Sequence, residues 1–192
     1  ALRLVDPFCL AAGIQPPYNP PRLGLIPHPR MQQRDTLHKA PPMLFAPFDF
    51  VASVNKLHYE TIIRWHNQDV TNGYDEFLAT ICQQHRYNYL LWHEEDIARS
   101  AEASDTRIAM VKRTIDCYNQ QRNDLIEQMD HWLIAANAAE GVVPEMNARI
   151  NTETPGSAID RLSIMALRIY HFEEQLQRPD LECEQSERVA RN

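Results

Sequence analysis

Ten of the thirteen prolines fall within the first 50 residues. Proline has no backbone N–H to donate, and its fixed φ fits neither a helix interior nor a central strand. Residues 1–49, with Pro16-Pro17, Pro20-Pro21, Pro27, Pro29 and Pro41-Pro42, therefore read as an extended, turn-rich arm. The arm also carries Leu23, Leu25, Ile26, Met43, Leu44, Phe45 and Phe48. A purely disordered tail rarely holds so many large apolar groups. The expectation is an arm lying along the surface of the body, its own or a neighbouring subunit's.

Beyond Asp49 the pattern turns helical, so residues 50–192 form the expected bundle domain. Val51, Val54, Leu57, Ile62 and Trp65 recur about once per turn and predict a helix to about residue 68. Asn72-Gly73 breaks it, and Asn72 with Asp75 has the spacing of a capping box for a second helix running to Arg99. Its apolar residues are Phe77, Leu78, Ile81, Cys82, Tyr89 and Trp92. Ser104 or Asp105 caps a third and longest helix, ending near Ala136. Thr154-Pro155 is an N-cap followed by proline at the first helical position. The fourth helix it opens has Ile159, Leu162, Ala166 and Ile169 on one face, widened by Leu167 and Tyr170. Pro179 closes that helix, and a short charged helix is expected after it. Strand alternation is lacking, so the fold class is all-α: a four- to five-helix bundle with a proline-rich extended N-terminal arm.

Charge narrows the partners. Residues 1–50 carry five Lys/Arg and three Asp/Glu, whereas residues 51–192 carry fourteen and twenty-three. An acidic body disfavours nucleic acid and anionic membranes. No apolar run approaches the roughly 20 residues needed to cross a bilayer. Cys9, Cys82, Cys117 and Cys183 form no CxxC or CxxH and read as reduced thiols of a cytoplasmic protein. Glycine-rich phosphate loops, HExxH, GxSxG and EF-hand loops are all missing, so no cofactor is expected.

Polar residues nevertheless concentrate in four segments. Trp92-His93-Glu94-Glu95-Asp96 has Arg99 on the same face as Asp96. Lys112, Asp116, Asn119, Asn123 and Glu127 form one stripe at spacings of three or four. Arg122 interrupts the apolar stripe between Ile115 and Leu125, so its charge must be paired or face a cavity. Asn151-Thr152-Glu153-Thr154-Pro155-Gly156 forms a turn, and Asp160-Arg161 leads to Ser163, Arg168, His171 and Glu174. Such stripes also occur as plain solvated ion-pair faces. If a ligand binds, Arg99, Lys112, Asn119, Arg122, Asn123 and Arg161 are the candidates to hold an anionic or sugar-like group. The helix N-terminus at Pro155 offers free N–H groups to an anion. His93, Asp96, Asp116, Asp160 and His171 are the candidates for acid–base work. Metal binding is a weaker alternative: His93 with Asp96 and His171 with Glu174 each place an imidazole and a carboxylate three apart, the reverse of the di-iron Glu-x-x-His order.

Trp92 to Arg99, Lys112 to Asp116, Asn119 to Asp124, Asn151 to Gly156, and Asp160 to Ile164 with Tyr170-His171 together resemble a bacterial family, domain of unknown function 4254. The resemblance covers roughly residues 50–175. It implies a cytosolic protein associated with glycan or cell-envelope biosynthesis. The favoured function is binding of a small anionic or sugar-like ligand in the bundle. The alternatives are an adaptor within an assembly, or a metal-dependent bundle enzyme. Long amphipathic helices and the apolar arm also suggest a homo-oligomer.

Overall fold

The computed structural model describes residues 47–101 and 103–177. The arm, the short helix expected beyond Pro179, Cys9 and Cys183 lie outside the described residues. The described chain forms four helices: α1 (Pro47–Asn67), α2 (Glu76–Arg99), α3 (Asp105–Ala139) and α4 (Pro155–Leu176). The fold class is all-α, a four-helix bundle.

The helix directions follow from which rings meet. Phe50 stacks on Phe77, His58 lies against His85, and His66 lies against His93. Each step is eight residues forward on both helices, so α1 and α2 run parallel. His85 meets Ser163 and Trp92 meets His171, again eight on from a common start within one residue, so α4 runs parallel to α2. In contrast Tyr87 meets Tyr118 while Phe77 meets Trp132, which makes α3 antiparallel to α2. Three parallel helices therefore surround a core that α3 closes from one side.

A parallel α1–α2 pair needs a return strand of chain. Residues 68–75 supply it; eight extended residues reach about 27 Å, close to the length of α1 at 1.5 Å per residue. Val70 is buried on this crossover, and the Thr71 carbonyl accepts from Trp65 Nε1 at 3.0 Å and from Arg64 Nη2 at 3.2 Å. Asn72 does not form the expected capping box. The N-cap of α2 is Asp75, with no side-chain cap bond, and Asn72 instead accepts from Tyr74 N and donates to the Ala79 carbonyl. The Ser104 and Thr154 caps form as expected, each accepting from the backbone N–H three residues on.

The buried faces differ in part from the apolar pattern. Val54, Leu57, Ile62, Trp65, Ile81, Cys82, Met129, Ile159 and Leu167 make the core. On α4, however, the buried line is Gly156, Ile159, Ser163, Leu167 and His171, while Met165 and Ile169 are exposed. The helix is turned toward a line of mixed polarity because the polar members find partners inside. α2 buries residues around most of its circumference, since α1, α3 and α4 all pack on it.

Gly156 shows how closely α3 and α4 approach. A Cβ there would stand 2.6 Å from the Ile126 carbonyl oxygen and 2.9 Å from Asp130 Oδ1. The Gly156 N–H donates to that same Asp130 oxygen at 2.6 Å. Gly156→Ala is expected to lower stability by about 1–3 kcal/mol, as overpacking against backbone does. Asp130→Ala, which removes the acceptor without adding a clash, is expected to cost about 1 kcal/mol. Urea unfolding of both variants checks this; an alanine at position 156 that leaves the midpoint unchanged would contradict the close approach.

Candidate metal centre

The parallel register stacks polar side chains in two tiers along the interface of α1, α2 and α4. His58, His85 and Ser163 form the first. His66, His93 and His171 form the second, each eight residues further on. Eight helical residues advance about 12 Å, so the tiers are distinct sites on one axis.

The first tier is sealed. His58, His85 and Ser163 are fully buried. His85 Nδ1 lies 2.6 Å from Ser163 Oγ, which also accepts from Asn88 Nδ2 at 2.8 Å. Asn88 Nδ2 and Gln84 Nε2 donate to Asp160 Oδ1 at 2.8 and 2.5 Å, and Arg122 Nε stands 4.0 Å from the same oxygen. Arg122, flagged by its break in the apolar stripe, is thus brought to Asp160 at the edge of this network. Burial pushes the His58 imidazole down to about 4, and burial together with neighbouring His58 holds His85 well below the usual histidine range. Both rings are neutral near pH 7.

The second tier has the geometry of a ligand set. One ring nitrogen from each of His66, His93 and His171 lies within 4.8 Å of the others. His66 Nδ1 is 2.8 Å from the Ile62 carbonyl, an acceptor only, so Nδ1 carries the proton. His171 Nδ1 is 3.1 Å from Glu174 Oε2 and donates likewise. On these two rings Nε2 is the nitrogen left over for a ligand. The Nε2 atoms of His66, His93 and His171 are all buried, and none has a hydrogen-bond partner. Burial, followed by the neighbouring His66 and His171, lowers His93 to about 4; burial and His171 also lower His66. Neutral imidazoles with unshared lone pairs are the form that binds metal.

Aromatic rings fix the cluster. Trp92 stacks on His171 at 4.7 Å with 6° between planes, and Tyr170 stacks on His66 at 4.4 Å. Tyr89 stands edge-on to both His66 and His93, and its hydroxyl is anchored on the Trp65 carbonyl at 3.1 Å. A tetrahedral zinc with Zn–N of 2.0–2.1 Å needs its nitrogens about 3.3 Å apart, so each ring would move inward by at most about 0.9 Å. Glu174 would serve as the carboxylate that orients a ligating histidine from behind.

The remaining predicted residues fall elsewhere. Asp96 lies on the surface and pairs with Arg99 at 3.3 Å, with Glu95 at 3.4 Å from the same guanidinium. Lys112, Asp116 and Asn123 are exposed on α3, and Asn119 is half-buried there. Arg161 is exposed and pairs with Glu153 at 2.7 Å. Arg161, Glu153, Thr152, Ser157, Asp160 and Ile164 line an open depression of about 400 Å³. The α4 N-terminus is not free for an anion: Asp130 takes the Gly156 N–H and Thr154 takes that of Ser157. Of the metal candidates, His93 and His171 come together, Glu174 stands behind His171, and Asp96 is outside the group. His66 was missed, as were the supports Gln84, His85 and Asn88. Its only sequence signal is its place directly after Trp65, at the end of an apolar stripe.

A family model described as Protein of unknown function (DUF4254) matches residues 78–192. The chain belongs to that family. The match begins later than the resemblance suggested and runs further toward the C-terminus. It includes His93 and His171, whereas His66 precedes it. No curated protein and no solved structure matches the chain. Among the described residues, no helix is long and apolar enough to cross a membrane.

The sealed tier carries a pH prediction. With folded values below the unfolded value of 6.5, His58 and His85 bind protons more readily in the unfolded chain. Their contribution is complete above about pH 6.5 and is lost as the pH falls toward about 4. The loss is up to about 1.4 kcal/mol per pH unit for each group within that window. Urea midpoints should fall steeply over this range, and His58→Phe should flatten the slope. An unchanged slope in the variant would contradict a neutral buried His58.

Proposed function

We propose that this DUF4254 protein is a metalloprotein that binds one divalent transition-metal ion, such as zinc, through the Nε2 atoms of His66, His93 and His171. One observation carries the reading: three buried Nε2 atoms without hydrogen-bond partners, on rings whose ligating nitrogens converge within 4.8 Å. A buried polar atom without a partner costs stability, and three gathered at one point have a common remedy in a shared cation. Imidazole donors suit zinc, copper, iron and nickel, while magnesium and calcium prefer oxygen. The centre would also tie α1 to α2 and α4.

A second reading concerns the depression beside Asp160 and Arg161. Asp160 lines it and stands 4.0 Å from Arg122 Nε without a close bond, which favours a small anionic or sugar-like ligand that also engages the guanidinium. Cys82 and Cys117, neither joined in a disulfide, support a cytoplasmic location, and the exposed Ile63 and Ile169 support a homo-oligomer.

Calorimetric titration of the chelator-stripped full chain with zinc tests the metal reading. One equivalent is expected to bind, and zinc at about a hundredfold over Kd should stabilise the fold by about 2.7 kcal/mol. Alanine at His66, His93 or His171 should abolish the heat, while alanine at the exposed His131 should leave it intact. Zinc binding that survives all three single substitutions would overturn the site. For the second reading, a thermal-shift series with sugar phosphates should show a stabilisation that disappears in Arg122→Ala; no shift with any member counts against it.

A further inference from the structure

Resting on the metal reading, we propose that the three-histidine centre leaves one coordination position to a small exogenous ligand, water or an anion of carboxylate or azide size, and exchanges it. Structural zinc sites are closed by four protein ligands, whereas sites that act on other molecules keep three and leave the fourth position to water or substrate. Among the described residues the cluster contains three donors and no fourth. The adjacent carboxylates are committed elsewhere: Glu174 accepts from His171 Nδ1, and Asp96 pairs with Arg99. Cys82, a fully buried core residue, sits eleven residues before His93, about 16 Å away along α2.

Charge selects the class of ligand. Three neutral imidazoles leave the full +2 on the ion. The Glu174 carboxylate behind His171 offsets one unit, so the centre keeps net positive charge and attracts an anion. Space selects the size. Each Nε2 is buried, and Trp92, Tyr89 and Tyr170 wall the three rings, so a bulky donor group does not fit at the ion. His66 and His93 are only half-buried, so part of each residue reaches solvent. A carboxylate, or another small oxyanion presented by a slender group, meets these conditions.

The test uses the full chain loaded with cobalt(II), whose visible bands report coordination number and donor set. Titration with sodium azide is expected to shift the bands with one-site saturation, and sodium acetate should compete for the same position. Glu174→Gln removes one negative charge near the ion and should tighten azide binding several-fold; an unchanged azide affinity in that variant would remove the charge argument. If cobalt binds but neither azide nor acetate alters the spectrum, the position is closed by the protein, and this inference fails while the metal site stands. Azide that releases cobalt into the ultrafiltrate instead of shifting the bands also overturns it. If cobalt does not bind at all, the metal reading itself falls.

Discussion

The parallel register of α1, α2 and α4 is the constraint on which the rest of the structure depends. In an antiparallel pair, moving eight residues along both helices separates the two side chains. In a parallel pair it brings the next two together. His58 with His85 and His66 with His93 meet for this reason, and α4 adds Ser163 to the first tier and His171 to the second. The register is held by Phe50 on Phe77 at one end and by the crossover of residues 68–75 along the side. Without that extended return, the chain could only fold α2 back as a hairpin partner of α1, and the six polar positions would never share an axis.

The two tiers spend their polarity differently. In the first, Ser163, Asn88, Gln84 and Asp160 exchange hydrogen bonds, and Arg122 supplies charge at the edge. That network specifies which face of α4 turns inward, at the cost of burying two neutral imidazoles. In the second, Nδ1 of His66 and of His171 is held by Ile62 and Glu174, and the Nε2 atoms are left without partners. Rings oriented through one nitrogen with the other unpartnered are the arrangement of a ligand shell. Stacked Trp92 and Tyr170 limit ring motion, so the ordering entropy of assembling the shell is largely met by folding itself.

Much of the architecture was legible in the sequence. The Ser104 and Thr154 caps and the long third helix all follow from local chemistry that one stretch of chain expresses alone. Arg122 was legible because a charge in an apolar stripe is a local anomaly. Helix direction was not, because periodicity is the same whichever way a neighbour runs. The inward turn of His171 was hidden for a related reason: Ile169 and Tyr170 look like better core residues, and only partners on α1 and α2 make the histidine face preferable. His66 could be found only once the register joined it to positions 27 and 105 residues away. Asp96 shows the converse, since its spacing from His93 looked like a ligand pair while Arg99 one turn on holds it at the surface.

X-ray absorption at the zinc edge of the zinc-loaded full chain reads the donor atoms at the ion themselves. A centre built from these histidines gives three imidazole nitrogens at about 2.0–2.1 Å, with the outer-ring scattering of histidine and a light atom completing the shell. A shell containing sulfur, or one made of oxygen without imidazole, would contradict a centre built from His66, His93 and His171.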